Sequence, residues 1–240
     1  MTISIGIART TCQISNDAGL FVNFPFDSID TLLDRSVNMI HGIGNRLTSV
    51  PSGRVNQAIA FEYNTSYFQA QSFPPIRYTD VPFSLALWIK PSAVLGGGSL
   101  VHISNFQNGT GVICFDLLGF TTSGVLMAQL MISGSNLANL TGRILPLNTW
   151  SHVAVIYSLK NGFRLYINGQ LSTWIMVSTI ISNVNNYITL GNTSPGLSLA
   201  NSVCSLSSLI IPGPYRGAID EFRFYNRELN MDELCVLANI

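Results

Sequence analysis

The segment Trp150-Ser-His-Val-Ala-Val-Ile-Tyr-Ser-Leu-Lys-Asn-Gly-Phe-Arg-Leu-Tyr-Ile-Asn-Gly-Gln-Leu-Ser-Thr173 decides the fold class. Its two Asn-Gly pairs, Asn161-Gly162 and Asn168-Gly169, separate three runs rich in β-branched and aromatic residues. Asn-Gly tolerates the positive φ angles of a tight hairpin, so Trp150–Ser158, Phe163–Ile167 and Gln170–Thr173 are predicted to form an antiparallel meander.

The same alternation extends outward in both directions. Leu20, Val22, Phe24 and Phe26 share one parity, as do Phe83, Leu85, Leu87 and Ile89, which stand opposite Ser84, Ala86 and Trp88. Further strands are predicted at Ala58–Tyr63, Leu100–Ser104, Gly111–Leu117, Leu126–Ile132, Tyr187–Leu190 and Arg216–Tyr225. One helix follows: Asn230 can cap it, Glu233 can reach back, and Leu234 and Leu237 face the body. Gly191–Gly213 reads as a long loop with one strand around Cys204–Ile211. Ten or more strands with one late helix predict an all-β, two-sheet antiparallel sandwich over residues 20–240, with residues 1–19 as an N-terminal extension.

Composition narrows the setting. The 240 residues carry 12 Lys+Arg and 12 Asp+Glu, a net charge of zero. Charged residues make up 10%, against about 25% in an average soluble domain. With no basic stripe to neutralise phosphates, nucleic-acid binding by counterion release is excluded. No window approaches the roughly 20 mainly apolar residues of a membrane-spanning helix. Met1–Thr11 lacks the apolar stretch of a signal peptide, so either a leader has been removed or, the favoured reading, the chain is a portion of a larger secreted or extracellular protein.

Surface polarity must come from hydroxyls and amides. Asn64, Asn108 and Asn139 head N-x-S/T sequons, and together they lean towards a secretory route; a fourth, at Asn192, is weakened by Pro195. The four cysteines form no CxxC. Cys12 and Cys235 stand just inside the termini, which tend to lie close together, so they are the favoured pair. A Cys114–Cys204 bond is a weaker expectation, and four reduced buried thiols are the alternative.

Five segments in order carry a family resemblance. They are Asp34-Arg-Ser-Val-Asn-Met-Ile-His-Gly42, Gly53-Arg-Val-Asn-Gln-Ala-Ile-Ala-Phe61, Phe83-Ser-Leu-Ala-Leu-Trp-Ile-Lys-Pro91, Trp150–Tyr157 with Leu165-Tyr-Ile-Asn-Gly169, and Gly217-Ala-Ile-Asp-Glu-Phe-Arg-Phe-Tyr-Asn-Arg-Glu-Leu229. The set resembles LamG-like jelly-roll domains of the concanavalin A-like lectin/glucanase group. The resemblance implies two antiparallel sheets, one concave, in an extracellular recognition or accessory module. The Gly191–Gly213 segment, the scarcity of charge and the Cys12-bearing extension depart from the pattern.

Because this group includes glycan hydrolases, the carboxylates matter. Glycosidic cleavage needs two carboxyl groups about 5–5.5 Å or 6.5–9.5 Å apart. No predicted strand carries two acids at i and i+2, and the adjacent Asp220 and Glu221 point to opposite faces of a regular strand. No G-x-S-x-G, P-loop or H-E-x-x-H motif is present, and His41, His102 and His152 read as structural. Asp220 shares parity with Ala218, Phe222 and Phe224, so its carboxylate needs a partner. The resemblance implies a structural calcium there, with Asp34 as a second oxygen donor; the alternative is that Asp220 caps backbone N–H groups. Trp174, Trp88 and Tyr166, with Asn105 and Asn183, are the candidate sugar-binding residues.

These readings converge on a non-catalytic extracellular recognition or adhesion module that binds glycan or protein surfaces through its concave face or rim loops. A glycan-active enzyme would instead require converging carboxylates. A structural or assembly domain would require a filled groove and an exposed apolar patch.

Overall fold

The computed structural model describes residues 12, 17–27, 32–73, 81–111, 113–132, 136–177, 186–193, 204 and 208–240. In chain order the strands are β1 (Leu20–Phe24), β2 (Ile43–Asn45), β3 (Leu47–Val50), β4 (Ala58–Phe61), β5 (Tyr67–Phe73), β6 (Phe83–Ala93), β7 (Gly98–Ser104) and β8 (Cys114–Phe120). They continue as β9 (Val125–Ile132), β10 (Asn136–Ile144), β11 (Ser151–Ser158), β12 (Gly162–Ile167), β13 (Gln170–Ile175), β14 (Asn186–Leu190) and β15 (Arg216–Tyr225), followed by α1 (Met231–Leu237).

The meander forms as the Asn-Gly pairs require. Asn168 and Gly169 take φ of 51° and 74°, and Gly162 takes 72°. β11, β12 and β13 then continue into an eight-stranded sheet ordered β13-β12-β11-β6-β15-β4-β3, with β1 also on β15. β15 pairs with β6 along one edge; along the other it meets β4 over Gly217–Ile219 and β1 over Phe222–Tyr225. The second sheet has seven strands in the order β10-β9-β8-β7-β14-β5-β2. β2, β3 and β10 are too polar or too short to carry a strand signal, and in β5 the outer glutamines mask the alternation. The Cys204–Ile211 region differs from expectation. Its described residues form no strand and instead cross the end of the seven-stranded sheet, through Ile211 N–H to Phe120 O and Gly98 N–H to Ile211 O.

The sheets pack face to face. Leu85, Leu87, Val153 and Val155 from one sheet meet Ala70, Ile188, Ile103 and Phe115 from the other, all within one buried cluster. A second, smaller cluster lies on the outer face of the eight-stranded sheet, where Leu229, Leu234 and Leu237 cover Ala86, Ala154, Ile156, Tyr166 and Tyr225. The capping box holds α1 in place: Asn230 accepts from Glu233 N–H, and Glu233 accepts from Asn230 N–H, both at 2.9 Å. Both expected disulfides are present. Cys12–Cys235 has a Cα–Cα distance of 5.6 Å and Cys114–Cys204 one of 5.3 Å. None of the described helices is long and apolar enough to cross a membrane.

Candidate functional site

A polar row crosses the outer face of the seven-stranded sheet. Register places Gln69, Thr189, His102 and Asp116 side by side on β5, β14, β7 and β8. All four are buried, although they point away from the core. The cover is the 105–111 loop, which lies over the row. Gln69 Nε2 donates to Gln107 O at 2.9 Å, and the His102 ring bridges Asp116 Oδ1 and Gly109 O, also at 2.9 Å each. The Cys114–Cys204 bond sets Cys204 beside this loop, 3.6 Å from Gly109 O, and Ser208 Oγ donates to Gln129 Oε1 at 2.7 Å.

Beyond this cover, towards β2, the face opens into a cleft of about 120 Å³ lined by His41, Ile43, Gln69, Gln71, Gln107 and Tyr187. Gly42 lets the chain carrying His41 press onto β5, since a Cβ at that position would lie 2.3 Å from the Phe68 ring. Gln69 is the informative residue. Its Nε2 is shared between Gln107 O and Thr189 Oγ1, while its buried Oε1 has no hydrogen-bond partner. Leaving a buried acceptor unpaired costs about 1–3 kcal/mol, and a hydroxyl donor entering the cleft would remove that cost. An aromatic ring beside several amides is the chemistry of neutral polyol recognition. No carboxylate is among the described residues that line the cleft.

With sandwich and cleft defined, the sequence profile described as the concanavalin A-like lectin/glucanases superfamily proves to match residues 63–235. The chain belongs to that superfamily. Among solved structures, this concanavalin A-like chain is similar to domain 4 of AbnA, an extracellular GH43 arabinanase of Geobacillus stearothermophilus, solved with arabinotriose. The match has 20% identity and a TM-score of 0.60, and covers 92% of this chain and 99% of that one. It is also similar to the binding domain of Paraclostridial Mosquitocidal Protein 1, with 18% identity and a TM-score of 0.67 over 92% of this chain and 52% of that one. The botulinum neurotoxin serotype D binding domain follows, with 14% identity and a TM-score of 0.66 over 92% and 50%. The chain therefore spans about half the length of the toxin binding domains. No curated protein matches it in sequence.

The sequence-predicted sugar ligands of this concanavalin A-like domain are not gathered in the cleft. Trp88 is buried: its Nε1 donates to Leu237 O at 3.1 Å, Arg54 lies 4.3 Å over its ring, and His152 packs at its edge. Tyr166 is buried in the cluster beneath α1. Neither offers a face to a ligand, because the C-terminal helix occupies the surface that strand parity alone leaves open. Trp174 is 56% exposed, on the edge strand β13 of the other sheet. Asn105 Oδ1 accepts from Ile113 N–H at 2.8 Å and so shapes the covering loop. Asn183 lies outside the described residues. The residues that do line the cleft were missed, although the Gln69-Ala70-Gln71 alternation carries the signal.

Asp220 departs from its expected face. β15 and β6 lose register between Asp220 and Arg223, where Glu221 takes a φ of 51°. This bulge inserts one residue and reverses parity. Ile219, Phe222 and Phe224 therefore enter the core, whereas Asp220 lies on the outer face, opposite Trp88. Its carboxylate accepts from the N–H groups of Arg54 (2.7 Å), Val55 (3.0 Å) and Glu221 (2.9 Å). Burial pushes the carboxyl up to about 7, against the pull of those donors. Burial also raises Glu221, whose carboxylate pairs with Arg223 at 2.5 Å. Asp34 accepts from the N–H groups of Asn23 (2.9 Å), Ser36 (2.8 Å) and Ile40 (2.8 Å) and from the Ser36 hydroxyl (2.8 Å). The two aspartates share no donor and hold different loops. Ringed by N–H and O–H hydrogens, they do not fit a hard cation, which requires converging oxygens. Among the described residues no His, Cys, Asp and Glu side chains group into a metal-binding set.

The sequon residues Asn64, Asn108 and Asn139 are all exposed. Asn192 is not, and its amide nitrogen donates to Asn64 O at 2.9 Å.

Proposed function

We propose that this domain is a non-catalytic extracellular recognition module that binds neutral glycan in the cleft of its seven-stranded sheet. The observation that carries the reading is the buried, unpartnered Gln69 Oε1 beside Tyr187, Gln71 and His41. Tyr187 supplies the ring surface, Gln71 and His41 supply adjustable polar contacts, and Gln69 Oε1 accepts a sugar hydroxyl. Two disulfides suit an oxidising setting. A glycan-binding role is also in keeping with the arabinotriose-bound arabinanase domain that shares the fold. Sugar cleavage has less support, because hydrolysis takes two carboxyl groups and the described lining of this cleft has none.

The test is a glycan array probed with wild-type protein, Tyr187→Ala and Gln71→Ala, followed by calorimetry on the best ligand. Wild type should retain a neutral oligosaccharide, with at least a tenfold loss in Tyr187→Ala. Absence of any bound glycan, or equal binding by both variants, would sink the proposal.

An assembly role has one observation in its favour. Edge strand β13 and the residue after it expose Leu171, Trp174, Ile175 and Met176. A concentration-dependent dimer in sedimentation, lost in Trp174→Glu, would support that reading instead.

A further inference from the structure

The eight-stranded sheet carries a second, larger cleft that the glycan reading does not use. Register aligns Thr48, Ala60, Ala218 and Lys90 across β3, β4, β15 and β6 on its outer face. One step along β6 and β15, the same face carries Trp88 and Asp220 beneath packed side chains. Here the floor is two alanines, and the space above them is a cleft of about 470 Å³ bordered by Lys90, Arg216, Glu62 and Asn148. That volume lies within the roughly 300–1,000 Å³ of small-molecule sites.

The charges in this cleft are unbalanced. The ion pairs among the described residues are Arg164–Glu228, Arg223–Glu221 and Arg227–Glu233, and none uses Lys90 or Arg216. Among the described residues Arg216 donates only to neutral oxygens, Glu62 O and Asn64 Oδ1. Lys90 Nζ lies 5.9 Å over the Trp150 ring, a contact that orients the ammonium without neutralising it. The nearby acid, Glu62, is turned to the far end of the row, where it accepts from the Thr48 hydroxyl at 2.8 Å. Two cations from adjacent strands thus face one cleft with an apolar floor and an amide, Asn148, at its edge.

We propose that this cleft is a second binding site, selective for a carboxylated sugar. The carboxylate pairs with Lys90, Arg216 adds positive charge from the other side of the cleft, the ring lies over Ala60 and Ala218, and a hydroxyl reaches Asn148. A bare carboxylate satisfies only the first of these contacts. The site is independent of the cleft on the opposite sheet, so either proposal can fail without the other.

The experiment titrates ¹⁵N-labelled protein with glucuronate, glucose and acetate at constant ionic strength, in wild type, Lys90→Gln and Arg216→Gln. Glucuronate should move the Gly217 and Ala218 amide resonances in a saturable way, with glucose and acetate at least tenfold weaker. Lys90→Gln should weaken glucuronate binding at least tenfold, and added salt should weaken it in wild type. Equal binding of glucose would overturn the charge selectivity, and equal binding of acetate would overturn the sugar assignment. Glucuronate shifts confined to Gln69 and Tyr187, or Lys90→Gln binding as wild type does, would overturn the site itself. Arg216 also holds the Glu62–Asn64 turn, so if Arg216→Gln unfolds, Lys90→Gln decides the outcome.

Discussion

Asp220 Oδ2 accepts the main-chain N–H of Arg54 at 2.7 Å, across 166 positions of sequence. With Val55 N–H on the same oxygen, this bond fastens the 53–57 loop to the central strand and brings Arg54 over Trp88. Asp220→Ala leaves these partly buried donors without their acceptor, so a loss of about 1–3 kcal/mol is expected in urea unfolding. Wild-type stability in the variant would show that the loop holds itself.

Metal removal tests the same carboxylate. Because its oxygens face N–H donors, a chelator should leave the wild-type Tm unchanged. A fall in Tm on chelation that calcium reverses would restore a structural ion to this loop.

Two buried groups set opposite pH trends. Asp220 titrates at about 7 in the fold, raised by burial from 3.8. A raised acid binds its proton more tightly when folded, so its contribution is full below about 4 and is lost as pH climbs to 7. His152 is lowered from 6.5 to about 3, by burial first and then by Arg223 and Arg54. Its contribution is full above 6.5 and is lost as pH falls towards 3. Asp220→Asn should flatten the first trend and His152→Gln the second, measured as unfolding free energy from pH 3 to 8. Unchanged profiles in both variants would refute the assignment.

The two tryptophans should behave differently on truncation. Trp88→Ala removes a buried ring and is expected to cost about 3–5 kcal/mol. Trp174→Ala, on the exposed edge, should stay within about 0.5 kcal/mol. Comparable losses would mean that β13 is covered in solution.

The Cys114–Cys204 bond spans 90 positions and holds Cys204 beside the covering loop. Replacing both cysteines with alanine should cost about 2–4 kcal/mol. It should also weaken glycan binding, because Gln107 stands on that loop. Full affinity in the double variant would show that the loop is held by His102 and Gln69 alone.

Local chemistry made much of the fold legible. Asn161-Gly162 and Asn168-Gly169 impose their turns wherever they stand between strand-forming runs, and Asn230 with Glu233 caps a helix using atoms three residues apart. Alternation predicted the core faces of β1 and β6 for the same reason: each position carries its own parity. β5 was missed because its outer glutamines suppress the apolar signal that marks a strand.

What the chain determined unaided is therefore short-range: turns, strand parity, the cap, and a family pattern spread over ordered segments. Tertiary structure alone decided which face each special residue serves. The bulge at Glu221 turned Asp220 away from the core, α1 closed over Trp88 and Tyr166, and the 105–111 loop buried His102 and Gln69 while leaving Gln71 exposed beside them. The first two outcomes depend on contacts between residues more than a hundred positions apart. The intrinsic preference of a residue does not specify what will be laid across it.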